Sequence, residues 1–309
     1  MRQCASIGTL QLVAIVGLVL IVGEKRCLGQ LYHTDSYELG KIVQHYDSNA
    51  TDQPPAHELG YGHYYEGDIM LPAPSGEDRL SLAEYQTYSL WPNAVVPYGF
   101  VRGNFTPSEM LTIERAMQVF HVNTCVRFVP NPRAEYFVTI INRPSGCHSS
   151  LGRQLDNSKN RMNLQAPACL TRGTPIHELM HILGFLHEMS RPDRDDYIRI
   201  NRDAFKPEFQ TDTFFNVNFG KRETNVETYN ISYDYGSIMH YSRYAGAQNR
   251  KYPVMENLQP YDKDDFGNTT LSPSDIAAIN YRYCRNKNSL DTVKYIFNPY
   301  QIPMIRPKE

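Results

Sequence analysis

The chain has 309 residues, 41% of them hydrophobic and 12% aromatic, enough for a packed core, which excludes a disordered protein. A net charge of −2, with no Lys/Arg patch interleaved with aromatics, argues for no nucleic-acid partner. The acid is unevenly spread: residues 30–79 carry nine acidic against two basic side chains, so the remainder is net positive.

Residues 1–29 open with Arg2, run apolar from Ile7 to Gly23, and end in Cys27-Leu28-Gly29, where small residues suit a signal peptidase. We read them as a signal peptide of a secreted, extracellular protein with no stable membrane association. An uncleaved anchor is the alternative, since the run is nearly long enough to span a bilayer.

Residues 30–79, acidic and rich in Tyr, Gly and Pro, lack a long periodic apolar pattern and read as an irregular propeptide. Within them Glu66-Gly67-Asp68-Ile69, after Tyr64-Tyr65, stands out, although a Gly-Asp pair is by itself a turn. His57-Glu58-Leu59-Gly60 lacks a second His at metal-binding spacing, and its Gly-rich surroundings do not sustain a helix. Arg79 is the only Lys or Arg between Lys41 and Arg102, so an activating trypsin-like protease has one site here.

Past Trp91 the pattern becomes regular. Ala94 to Tyr98 reads as a strand, and Thr106-Pro107-Ser108-Glu109 opens a helix with a capping box. Ile113, Ala116, Met117 and Phe120 give that helix its buried face. Cys125 to Val129 and Tyr136 to Ile141 read as further strands, which makes the fold class α+β, or mixed.

The run from His177 to Glu188, HELMHILGFLHE, carries the chemistry. His177 and His181 are four apart and share one helical face, so both can hold a single ion. Thr174 is placed to cap the helix, with Pro175 at its first position. Gly184 can leave the helix with positive φ, which lets the chain turn and bring His187 to the same ion. Three neutral imidazoles leave one position open, the arrangement of a catalytic zinc site, with one Zn²⁺ per chain. Glu178, one position round, is placed to work as a base on a water held by the metal. His121, His148 and His240 are read as structural imidazoles.

The remaining features follow this run. Ser190 to Tyr235 reads as a loop-dominated lower half, and Ser272-Pro273-Ser274-Asp275 opens a final helix that Cys284 closes. Once Cys4 and Cys27 are assigned to the leader, Cys125, Cys147, Cys169 and Cys284 suit two disulfides, with three pairings open. Asn49, Asn104, Asn230 and Asn268 head N-x-S/T sequons that permit glycosylation. A net basic body facing an acidic propeptide suggests a cleft tolerant of acidic substrates, with Arg243 or Arg250 as contributors.

The motif H-E-x-x-H-x-x-G-x-x-H is that of the metzincin metallopeptidases. Its continuation through Phe185-Leu186-His187-Glu188, Arg191, Asp193-Arg194-Asp195 and Tyr197 resembles the astacin family. That resemblance implies a two-lobed zinc endopeptidase acting on protein or peptide substrates. Its upper lobe would hold a twisted sheet and the zinc helix, and its lower lobe would be loop-rich. It implies that Asp68 occupies the open zinc position in a latent zymogen, and that cleavage near Arg79 activates it. It further implies Met239 as a floor beneath the histidines, Tyr241 as a phenol that aids the reaction, and Glu188 as the partner of the freed N-terminus. The implied disulfides are Cys125–Cys284 and Cys147–Cys169. The expected organisation is a signal peptide at 1–29, a propeptide at 30–79, the peptidase domain at 80–285 and a tail at 286–309.

Overall fold

The computed structural model describes residues 34–50, 53–71, 90–221, 228–285 and 304–306, together with the backbone of an antiparallel pair, Leu10–Ile15 (β1) and Leu18–Gly23 (β2). Arg79, the start expected at 80, Cys4, Cys27 and most of the 286–309 tail lie outside the described residues.

The upper lobe is a sheet in the order β11–β4–β6–β8–β7–β3, with β5 also beside β4. Its strands are Ile69–Met70 (β3), Val95–Val101 (β4), Arg127–Pro130 (β5), Val138–Ile141 (β6), Cys147–Ser150 (β7), Arg161–Leu164 (β8) and Met304–Ile305 (β11). All pairs are parallel except β7 with β8. The tail therefore returns to the sheet: β11 lies on β4, and Arg102 N–H donates to the Ile305 carbonyl at 2.9 Å.

The first body helix, Pro107–Asn123 (α2), starts as expected: Thr106 Oγ1 accepts from Glu109 N–H, and Glu109 Oε2 accepts from Thr106 N–H. Ile113, Met117 and Phe120 bury into a core with Phe128, Ile140, Met162 and Leu179. Burying each such side chain contributes about 1.5–3 kcal/mol. The mixed helix–sheet class expected from the sequence is the class observed.

Two expected strands are shorter than the sequence suggested, and β7 and β8 were not anticipated. Both are four residues long and carry buried polar side chains, among them His148, Ser149 and Asn163, so neither shows apolar alternation.

The metal helix is Thr174–Ile182 (α3), and its N-cap is Gly173 rather than Thr174. Gly173 has φ 78°, and an added Cβ would come within 2.7 Å of the Thr269 backbone, so only glycine fits. Thr174 is the first helical residue, and its hydroxyl lies 3.0 Å from His57 Nδ1.

The lower half has more order than a loop. It contains Asp212–Asn218 (α4), a ribbon of Ile198–Ile200 (β9) with Met255–Asn257 (β10), and the final helix Pro273–Tyr283 (α5). Aromatics fill its core, including Phe205, Phe214, Phe219, Tyr233, Tyr235 and Phe266. Asp275 caps α5 and also accepts from Ser237 Oγ and Ile238 N–H, which ties that helix to the turn before Met239. Among the described residues two disulfides close, Cys125–Cys284 and Cys147–Cys169. The first joins the end of α5 to the approach to β5.

Residues 30–79, expected to be irregular, have more order than their composition suggested. Tyr37–Gln44 forms a helix (α1), capped by Ser36 and burying Leu39 and Val43, and Ala56–Gly60 forms one 3₁₀ segment. Among the described residues no helix is long and apolar enough to cross a membrane.

Candidate metal centre

Helix α3 presents His177 and His181 one turn apart. Gly184, at φ 88°, then turns the chain so that His187 joins them. The Nε2 atoms of His177 and His187 are 3.2 Å apart, and those of His181 and His177 are 3.1 Å apart. Asp68, carried in by residues 53–71, completes the group. Its Oδ2 is 2.9 Å from His177 Nε2, and its Oδ1 is 3.1 Å from His181 Nε2 and 3.3 Å from His187 Nε2.

These separations fit a metal. A tetrahedral zinc with ligands at about 2.0 Å has ligand–ligand edges of about 3.3 Å. All four residues are fully buried, and Asp68 Oδ1 has no hydrogen-bond partner of its own. Three imidazole nitrogens facing one another around a carboxylate suit a shared cation and little else.

The far side of each ring prepares it for that role. His177 Nδ1 lies 2.7 Å from the Ile238 carbonyl, His181 Nδ1 lies 2.7 Å from the Phe185 carbonyl, and His187 Nδ1 lies 2.9 Å from Glu66 Oε2. Each acceptor holds the ring proton on Nδ1 and leaves the Nε2 lone pair for the ion.

Glu178 is adjacent but differently placed. Ser149 Oγ donates to its Oε2 at 2.7 Å, while Oε1 is buried without a partner. Burial first, and then the charge of Asp68, push its carboxyl well above the usual range. Tyr241 is fully buried; its hydroxyl donates to Asp68 Oδ2 at 2.8 Å and lies 3.1 Å from the Glu66 carbonyl oxygen. Gly67 makes this approach feasible, because a Cβ there would come within 2.9 Å of the Tyr241 hydroxyl.

Met239 lines a cavity of about 90 Å³ behind His187, together with Glu188, Arg191, Asp234 and Asp275. Glu188 Oε1 accepts from Asp234 N–H at 2.9 Å and from Arg191 Nη1 at 3.1 Å. Burial still pushes its carboxyl up to about 7.

The structural imidazoles find other partners. His121 Nε2 accepts from Phe128 N–H, His240 Nε2 lies 2.7 Å from the Tyr233 hydroxyl, and His148 stands beside Asp35 and Ser145. Arg250 pairs with Asp265, and the Arg243 guanidinium covers the Phe266 ring, so neither is directed at the metal centre. Of the four sequons, Asn49 and Asn230 are exposed, while Asn104 and Asn268 are half-buried.

Several participants were not found from the sequence. His57 stacks on His177 with ring centroids 4.0 Å apart. Its neighbour Glu58 accepts from Ser242 N–H at 2.7 Å and from Ser242 Oγ at 2.6 Å, next to Tyr241. Burial pushes the Glu58 carboxyl up to about 8. Dismissing His57-Glu58-Leu59-Gly60 as a ligand set left its packing role unseen. No local pattern announces it, because its partners lie more than 100 residues away.

Comparisons with known proteins agree with this geometry. The family profile described as Astacin, a peptidase family, matches residues 83–284. High choriolytic enzyme 1 of Oryzias latipes is 35% identical over 183 residues, which covers 58% of this chain and 62% of that protein. Zinc metalloproteinase nas-8 of Steinernema carpocapsae is 32% identical over 256 residues, covering 79% of this chain and 57% of that one. The chain thus spans about three-fifths of the length of these relatives. A solved structure described as high choriolytic enzyme 1, a hatching enzyme zinc-protease from Oryzias latipes, superposes with a TM-score of 0.54 at 33% identity, covering 63% of this chain and 93% of that one. With its histidine cluster, its mixed fold and this match across most of the body, the chain belongs to the astacin family.

Proposed function

We propose that this chain is a secreted zinc endopeptidase, made as a zymogen, that hydrolyses peptide bonds in protein or peptide substrates. One observation carries the reading: the Asp68 carboxylate stands among three imidazole nitrogens, each within 3.3 Å of one of its oxygens. The leader at 1–29, the propeptide at 30–79, the peptidase domain at 80–285 and the tail at 286–309 are the organisation it requires.

Zinc held by His177, His181 and His187 would supply Lewis acidity toward a carbonyl oxygen and toward water. The three histidines would hold it in place; His177 and His181 keep their Nδ1 protons on the Ile238 and Phe185 carbonyls, whereas His187 gives up its Glu66 acceptor when the propeptide leaves. Glu178, steadied through one oxygen by Ser149, takes the proton of the attacking water and passes it to the leaving amine. Tyr241, released from Asp68, turns its hydroxyl to the developing oxyanion. Strand β3 lies along the edge of β7, so an extended substrate can take that edge only after the propeptide leaves.

Activation by a trypsin-like protease at or just after Arg79 frees a new N-terminus, whose amine pairs with Glu188 in the cavity behind His187. The full chain, purified and assayed for zinc and gelatin cleavage before and after mild trypsin, should be latent and then active, with its new N-terminus between Asp68 and Trp91. An active form that begins before Asp68 or far beyond Trp91 contradicts the scheme. Glu178→Ala should keep zinc and lose activity by about 10²–10⁴-fold. Casein cleavage by that variant at the wild-type rate refutes the mechanism.

A further inference from the structure

A second propeptide carboxylate, on the far side of the cleft edge, satisfies cations that belong to the body. Asp35 Oδ2 accepts from Arg143 Nη1 at 2.8 Å, and Asp35 Oδ1 accepts from Arg161 Nη2 at 3.2 Å. His148 Nε2 and Ser145 Oγ each lie 3.5 Å from Oδ1. The Asp35 side chain is 9% exposed and that of Arg161 is 19% exposed, so the pair is shielded from water. Burial acts to raise the Asp35 carboxyl, but the His148 hydrogen bond and the Arg161 charge outweigh it and hold it far below the usual range.

The position of these cations matters. Arg161 begins β8, one strand in from the cleft edge, where β7 pairs with β3 in the register Ile69–Ser149 and Met70–Ser150. Met70, two residues beyond Asp68, rests its sulfur on the Arg161 guanidinium, 3.1 Å from Nε and 2.6 Å from Nη2. Any extended chain that replaces β3 on this edge therefore presents a side chain to Arg161 about two residues from the metal. Among the described residues, Asp35 is the one carboxylate paired with either Arg143 or Arg161. Loss of the propeptide removes it and leaves two guanidinium groups facing the same space.

We propose that Arg161, flanked by Arg143, is a specificity subsite of the mature cleft that takes an acidic substrate side chain two or three residues from the cut bond, with Asp35 as its stand-in in the zymogen. Arginine suits this task because its planar fork matches a carboxylate, and partial burial strengthens the pair. The inference rests on the endopeptidase reading. It also moves the acid-recognising charge away from Arg243 and Arg250, which are engaged with Phe266 and Asp265.

The test uses the activated full chain and a peptide set with one Glu at each position from four before to four after the cut, matched by Gln peptides. One position, on one side of the cut, should favour Glu over Gln in kcat/KM on the order of tenfold, and added salt should reduce the preference. Arg161→Gln should bring that ratio close to one, Arg161→Glu should invert it in favour of Gln, and Arg143→Gln, half exposed and milder for folding, should lower it partway. Cleavage with no Glu preference at any position overturns the subsite alone, as does a preference that survives both Gln variants. No cleavage of any peptide overturns the endopeptidase reading and the subsite with it.

Discussion

The two described limbs ahead of the peptidase body, residues 34–50 and 53–71, are both acidic and are held by opposite physics. The outer limb offers Asp35 to two guanidinium groups and stays anionic. The inner limb places Glu58 fully inside, bonded to Ser242 with no cation in contact, and its carboxyl is pushed up to about 8. Between these cases, Asp68 is completely buried against three imidazole nitrogens whose lone pairs need a cation between them and the carboxylate. A carboxylate over a cation can be buried charged, whereas one among neutral groups is buried protonated. The limb nearest the machinery should therefore control latency and respond to pH, and the outer limb should respond to salt.

The largest expected effect comes from the inner limb. Gly67→Ala imposes a side chain at φ +103° and drives its Cβ within 2.9 Å of the Tyr241 hydroxyl. The uncleaved chain should then leak activity, raised by about tenfold or more over wild type when a peptide substrate is assayed before any protease is added. Unchanged latency would show that Asp68 seats without the close approach of the Gly67 backbone.

Glu58→Gln should act next. The folded pKa of Glu58 lies above its unfolded value of 4.5, so its contribution to docking is full below pH 4.5 and is lost as pH rises through about 8. In the wild type, residues 53–71 should thus become easier to nick by limited proteolysis between pH 5 and 8, by up to a few kcal/mol of opening free energy. Glu58→Gln should flatten that profile, and a slope identical to wild type would assign the pH response elsewhere.

The smallest effect belongs to the outer limb. Asp35→Asn should loosen residues 34–50 by about 1 kcal/mol at low salt and by less at high salt, read by hydrogen exchange of α1. A loss independent of salt would mean that packing of Leu39 and Val43, rather than charge, holds this limb.

The metal site was legible because its chemistry is written at helix spacing. Two histidines four apart, with Gly184 to turn the chain toward a third, need no knowledge of distant residues. The capping boxes at Thr106 and Ser272 were legible for the same local reason. What escaped notice spans the chain: Glu66 on His187, His57 on His177, and Glu58 on Ser242 join residues 120 or more apart in sequence. The short polar strands β7 and β8 were missed because burial on a covered sheet, not alternation, selects their residues. Thr174 looked like a cap, and yet Gly173 takes that place because the Thr269 backbone leaves no room for a side chain.

The most direct test of the account is the uncleaved Asp68→Ala chain, assayed for zinc and for peptide cleavage with no activating protease present. The account predicts about one zinc per chain, held by His177, His181 and His187, and cleavage well above that of the uncleaved wild type. An Asp68→Ala chain that binds its zinc and is as silent as wild type would contradict it.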